Sequence, residues 1–357
     1  MQTLRQCYEE IASNTNRWSY YLNIPMSILD SLESDKDALE FIQKYFEFGG
    51  KKKVFKDVNL NKYKRHILER SQHIISTFFL GIKIAESFHI DTQTRNINNL
   101  NFKYYWFLAC LYHDIGYAFE GNTDSQTLNM IENEGLEALQ EICNIKYVHD
   151  RIFKTHPKEI VEFYFQCRAI SDENKERKID HGIAGGLLLY DKLRKQFNTA
   201  WKKRTNKEDT RDNFYIRDDS SGRELHLSNK HFDEYAKAAD AIISHNIWIS
   251  TLNQYIEKYG DSEGIVKRNN DRITINNELC FILSIADTIE PLKRDEKYLD
   301  LISIESLDLR KGFKLHGDNE TIEIIYKNIE SMKEWIEIKI NIVKAESLKT
   351  SIEISIE

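Results

Sequence analysis

Residues 104–117 read YYWFLACLYHDIGY, an apolar run broken by one adjacent pair, His113-Asp114, and followed at once by Ile115-Gly116. The run predicts a buried helix over 102–115, with Gly116 as its C-terminal cap. An imidazole and a carboxylate at the end of such a helix are costly to bury without a partner. A metal ion is the commonest partner that suits both groups at once.

Working outward, ligand-type residues recur on stretches that otherwise read as buried helix. His73 lies in RSQHIISTFFLGIKIAE, whose apolar residues Ile74, Phe78, Ile82 and Ala85 fall at helical spacing. His181-Gly182 opens DHGIAGGLLLYDKL after Asp180, where small residues permit close packing. His245 lies in AADAIISHNIW, inside an expected helix 231–257, and Asp287 in FILSIADTIEP, an expected helix 276–290. Singly, each has a bland explanation: a hydrogen-bonded core histidine, a buried ion-pair partner, or, for His181, a helix cap. The ordered set on separate helices favours a shared metal. A second pair, His149-Asp150 in IKYVHDRIF, has charged neighbours and no following glycine, and reads as surface. His66 competes with His73, being seven residues earlier on the same helical face. His73 is favoured because it leads into the apolar stripe, whereas His66 sits among Lys64, Arg65 and Glu69.

The ordered set His73, His113-Asp114, His181, His245 and Asp287 resembles the HD superfamily of metal-dependent phosphohydrolases. The surroundings LACLYHDIGY, DHGIAGGLLL and LSIADTIEP are similar to that family's motifs as well. The resemblance covers roughly residues 62–295 and implies a mainly α fold, an HD-domain helical bundle. The two additional histidines resemble the subset that holds two divalent ions. By that resemblance His73, His113 and Asp287 bind one ion, His181 and His245 the other, and Asp114 bridges. The catalytic residues would be Asp114, His181 and His245. The donor set suits iron, manganese, cobalt or nickel better than magnesium alone. The implied activity is hydrolysis of a phosphate ester or anhydride in a small phosphorylated molecule, a nucleotide or dinucleotide, by a hydroxide held between the ions. Two other readings share these residues: a di-iron oxygenase, and a nucleotide-sensing regulatory module.

One departure matters. Many members carry a phosphate-touching lysine after HDIG, and here that residue is Tyr117. Lys293 and Arg294, just beyond the Asp287 helix, are the best-placed cations by sequence, against the alternative of solvated helix-end charges. Tyr117 and Tyr190 could stack a base or donate a hydrogen bond, against a default of core packing.

Three prolines and 14 glycines in 357 residues favour helices, and 41% hydrophobic residues can fill a sizeable core. Residues 1–60 read as an N-terminal helical segment, with Ser34 and Asp37 as a capping box. A helical core follows over 61–297, with insertions at about 120–178 and 198–230. The first insertion should lie near the mouth of the site, and the polar stretch 203–230 reads as a mobile loop. Residues 298–357 alternate at strand period around a helical stretch near 327–338, a small C-terminal α+β appendage. A net charge of -7 and a pI near 5.9 speak against an extensive nucleic-acid or membrane surface. The runs Lys51–Lys53 and Lys202–Arg204 read as solvated faces. Five cysteines without a CxxC pair fit reduced thiols in a cytoplasmic protein. Cys110 and Cys280 read as core residues. The start of the chain shows no apolar leader, and no run approaches the length of a membrane span. The composition is compatible with a homo-oligomer.

Overall fold

A computed structural model describes residues 2–3, 34–48, 51–56, 70–87, 102–120, 124–169, 178–205, 213–218, 223–261, 264–266, 268–269, 272–275, 277–290, 311–315, 321–326, 343–345 and 351–356. The fold is mainly α. Helices α1 (Asp35–Phe48), α2 (Lys52–Lys56), α3 (Ser71–Ser87) and α4 (Phe102–Cys110) come first. A 3-10 turn, His113–Gly116, leads into α5 (Tyr117–Glu120). Next are α6 (Ser125–Glu134), α7 (Leu136–Ile142) and α8 (Lys158–Ala169). The long α9 (His181–Thr205) is followed by α10 (Asn229–Ser244), α11 (Ile249–Tyr259) and α12 (Glu278–Ile289).

Local chemistry sets the ends of these helices. The Asp37 amide donates to Ser34 Oγ at 3.2 Å, so Ser34 caps α1 as expected, but the Asp37 carboxylate accepts from the Ser34 hydroxyl and not from its amide, so the capping box is only half formed. Asp180 Oδ1 accepts from the Ile183 amide at 3.0 Å, which fixes His181 in the first turn of α9. Asn277 Oδ1 accepts from Leu279 and Cys280 and starts α12. Gly135, at φ 59°, separates α6 from α7.

The core is aromatic where α1 meets α3 and α4. Tyr45 packs against Phe78 and Phe107 at ring separations of 5.3 and 5.4 Å, and Phe46 against Phe107 at 5.4 Å. Trp106 is fully buried and donates its Nε1–H to the Phe78 carbonyl at 2.9 Å, so its polar edge is satisfied. Helix α10 is central, packing on α4, α9 and α12, while α12 also packs on α3. His73, His181 and Asp287 lie on these helices, while His113-Asp114 and His245 follow the ends of α4 and α10, and burying the apolar faces draws all six together.

One buried carboxylate braces this arrangement. Asp240 of α10 accepts from the Lys154 and Thr155 amides at 3.1 and 3.0 Å, from Thr155 Oγ1 at 2.5 Å and from Asn277 Nδ2 at 2.8 Å. It thereby ties the first insertion and the start of α12 to α10. The insertion also buries His156, which is 4% exposed and whose Nε2 makes no hydrogen bond among the described residues. Burial pulls its pKa down to about 4. The unfolded chain protonates the same side chain below about pH 6.5, so between the two values the unfolded state binds more protons. Stability should therefore fall as pH drops from 6.5 towards 4, by up to about 3 kcal/mol from this residue. Thermal melts at pH 7 and pH 4.5 should show a smaller loss for His156→Phe than for the unaltered chain.

Several expectations from sequence are corrected. The helix 102–115 ends at Cys110, and the HDIG residues form the 3-10 turn instead. Gly116 has no positive φ and is not a helix cap. Helix 231–257 is broken after Ser244, so His245 lies just past the end of α10 and not within a helix. The stretch 203–230 is not simply a loop. Helix α9 continues to Thr205, and Asn213–Asp218 pairs antiparallel with Arg223–Ser228. The apolar positions of NFYIRD and RELHLS alternate at period two around a four-residue connection ending in Gly222, which is hairpin chemistry.

In the tail, Lys311–Leu315, Thr321–Tyr326 and Ser351–Ile356 form a sheet joined by the short strand Gln2–Thr3. Val343–Ala345 pairs in parallel with Arg272–Ile275, just ahead of α12. The expected helix near 327–338 and the helical reading of 4–33 lie outside the described residues.

Candidate metal centre

The 3-10 turn places His113 and Asp114 against the start of α9. Gly116 makes this possible, because a Cβ there would sit 1.8 Å from the His181 carbonyl oxygen. On α9, a Cβ at Gly182 would meet the Ile242 carbonyl at 2.8 Å, and one at Gly186 would meet the Ala239 carbonyl at 2.6 Å. These two glycines let α9 approach α10 closely, which carries His181 to within 5.6 Å of His245, ring centre to ring centre.

The structure brings together His73, His113, Asp114, His181, His245 and Asp287, all at most 6% exposed. His73 Nε2 lies 3.0 Å from Asp287 Oδ1 and 3.6 Å from Asp114 Oδ2. His113 Nε2 lies 3.2 Å from Asp114 Oδ1 and 3.4 Å from Asp287 Oδ1. His181 Nε2 is 3.7 Å from Asp114 Oδ1, and the His245 ring is 5.6 Å from that of His113. Asp114 is thus adjacent to three of the imidazoles.

Each imidazole is held by its other nitrogen. Nδ1–H of His113 donates to the Cys110 carbonyl and Nδ1–H of His245 to the Ile242 carbonyl, both at 2.6 Å. A carbonyl only accepts, so in both rings Nε2 keeps its lone pair. His181 Nδ1 is 3.0 Å from Glu120 Oε2, and His73 Nδ1 is 2.5 Å from Glu290 Oε2. Such partners orient an imidazole and fix its tautomer, as they do where the ring serves as a metal ligand. Burial holds His245 down at about 3, so it is neutral and able to ligate at pH 7. Burial alone would raise Glu120, but its hydrogen bond to His181 and its ion pair with Lys178 bring it to about 2.

These donors fit a cation. Nε2 of His113 and of His245 are buried and make no hydrogen bond among the described residues. His73 meets a carboxylate at each nitrogen, yet a neutral imidazole has only one N–H to give. A positive ion beside Nε2 relieves that conflict. Ligand atoms of His73, His113 and Asp287 all lie within 4.8 Å of one another, so this buried group can hold a metal ion.

Tyr117 lies beside the cluster. Its ring stacks on His181 at 3.8 Å and 14°, while the Arg70 guanidinium lies 3.3 Å from its centroid. Two groups so close to one centroid must occupy opposite faces, so neither face is open to stack a base. Burial and the nearby Asp114 raise the phenol's pKa, so it stays protonated. Tyr190 is 5% exposed and belongs to the core. His149 and Asp150 are exposed, and His149 Nδ1 accepts from the Arg151 amide. Lys293, Arg294 and His66 lie outside the described residues.

Sequence reasoning missed four contributors: Arg70, Glu120, Asn246 and Glu290. Arg70 Nη1 is 3.6 Å from Asp114 Oδ2, and Asn246 Nδ2 donates to His181 Nε2 at 3.1 Å. Spacing could have found two of them. Arg70 precedes His73 by three residues and Glu290 follows Asp287 by three, one helical turn in each case. Among the described residues, no helix is long and apolar enough to cross a membrane. Comparison with protein-family models, with curated proteins and with solved structures gives no match.

Proposed function

We propose that this chain is a metal-dependent phosphohydrolase of the HD type, acting on a phosphate ester or anhydride of a small molecule of the nucleotide or dinucleotide class. The observation that carries the reading is the uniform posture of the four imidazoles. Every Nδ1 is tied to a carbonyl or a carboxylate, and Nε2 of His73, His113 and His181 lies within 3.7 Å of an oxygen of Asp114 or Asp287. Core histidines that serve packing alone have no reason to share that orientation.

His73, His113 and Asp287 would hold one ion, His181 and His245 a second, with Asp114 between them. Iron, manganese, cobalt or nickel suits these donors best. Bound there, such ions supply Lewis acidity towards a phosphoryl oxygen and lower the pKa of a water. The chain does the rest. Glu290, Glu120 and the two carbonyls keep each ring in the ligating tautomer. The surrounding apolar helices exclude bulk water and strengthen every charge interaction. Arg70, the cation beside Asp114, would offset charge building on the oxygens of a phosphoryl group bound there.

Elemental analysis of the purified protein, followed by a nucleotide and phosphodiester panel with several divalent metals, tests the proposal. Bound transition metal and metal-dependent phosphate release are expected. A protein that takes up no metal and is inert with every one of them would overturn it.

A further inference from the structure

We infer that Tyr117 is a positioning residue whose ring holds Arg70 in place as the anion-binding cation of the centre. This rests on the phosphohydrolase reading above. A phenol carries no positive charge, but among the described residues a guanidinium lies on its ring and beside Asp114. It belongs to Arg70, at the start of α3. Arg70 precedes the first residue of that helix and reaches across to the turn, where its guanidinium lies 3.3 Å from the Tyr117 ring centre.

The ion pair with Asp114 does not fix Arg70 by itself. Its 3.6 Å separation lies beyond hydrogen-bond reach, so that contact sets no direction for the guanidinium plane. The ring face supplies the missing constraint, since a planar cation packs flat on an aromatic surface. The ring is fixed in turn by His181, stacked on its other side at 3.8 Å. Arg70, Tyr117 and His181 therefore form a three-layer stack that links an anion-binding group to a candidate metal ligand. The Arg70 side chain is 31% exposed, so it sits at the boundary between the buried carboxylates and solvent, where a phosphorylated substrate would enter.

The test is phosphate binding by the metal-loaded full chain, measured by calorimetry with inorganic phosphate as the probe. Metal content and melting temperature are recorded for every variant. Arg70→Gln keeps a flat group on the ring without the charge and should weaken phosphate binding by ~10-fold or more. Tyr117→Leu should weaken it comparably, and Tyr117→Phe should restore most of what leucine loses. Combining Tyr117→Leu with Arg70→Gln should add little, because both disable one cation. Adding Tyr117→Lys to Arg70→Gln should recover affinity by placing a charge on the turn itself.

Full phosphate affinity in Tyr117→Leu, or additive losses in the double variant, would overturn the inference while leaving the phosphohydrolase reading intact. If Tyr117→Leu loses metal, the Arg70→Gln, Tyr117→Lys combination decides: no recovery there overturns the inference. Metal-loaded protein that neither binds phosphate nor releases it from any substrate would remove both.

Discussion

If the proposed phosphohydrolase activity holds, His113→Ala should strip the protein of bound metal and lower phosphate release by ~10^3-fold or more, since losing one electrostatic stabiliser alone costs ~10^2–10^3 in rate. His113 is fully buried, its Nδ1 is committed to the Cys110 carbonyl, and its Nε2 has no hydrogen bond among the described residues. The substitution removes one of the two imidazoles that lie against both Asp114 and Asp287, leaving His73 alone with the two carboxylates. Calorimetric melts separate this from simple unfolding. An ion that binds only the folded state raises stability by about 2.7 kcal/mol at a hundredfold excess over its dissociation constant. The unaltered chain should therefore melt higher with added metal, whereas His113→Ala should melt at one temperature with or without it. A His113→Ala protein that keeps its metal and its rate would show that the cluster is not the active centre.

Gly116→Ala should be the most damaging single-methyl change in the described chain. The added Cβ would fall 1.8 Å from the His181 carbonyl oxygen, 2.6 Å from its carbon and 2.8 Å from the Gly185 amide nitrogen. All three neighbours are backbone, so no rotamer change relieves the overlap. The HDIG turn and the start of α9 would have to separate. Overpacking a close-packed interior costs about 1–3 kcal/mol and more where backbone must move. A cost above that range is expected, together with loss of metal, because His113 and His181 would part. By contrast, the Cβ of Gly135→Ala would meet only side-chain atoms, at 3.5 Å or more, and its strain would come from a φ of 59°. Melting temperature and metal content measured on both variants would separate the two effects. A metal-replete, fully stable Gly116→Ala would contradict the packing described for the turn.

Much of the helical body was legible because its determinants are local or periodic. Ser34 and Asp37 start α1, Asp180 starts α9, and the apolar rows of α3, α4 and α12 announce buried faces. The candidate ligands stood out because a titratable group in an apolar row needs an explanation wherever it points.

The parts that could not be read depend on tertiary contact. Gly116 looked like a helix end but is required by the approach of α9, which lies more than sixty residues on. Nothing near Ser244 in sequence shows that α10 stops there. The hairpin at 213–228 was legible in its alternation but was masked by its polar composition. Arg70, Glu120 and Asn246 look like ordinary surface residues until the fold sets them beside His181, Tyr117 and Asp114.

Asp240 has a consequence for how the centre would choose its contents. It sits on the helix leading to His245 and bonds the residue that starts the helix carrying Asp287, and it fills all its bonds without help from any ion. Asp240 thus braces, from behind, two of the segments that carry the candidate ligands. A cage braced independently of its guest spends no ordering entropy on loading and yields little to a guest of the wrong radius. Discrimination among cations at such a site would rest on size and preferred geometry as much as on donor chemistry.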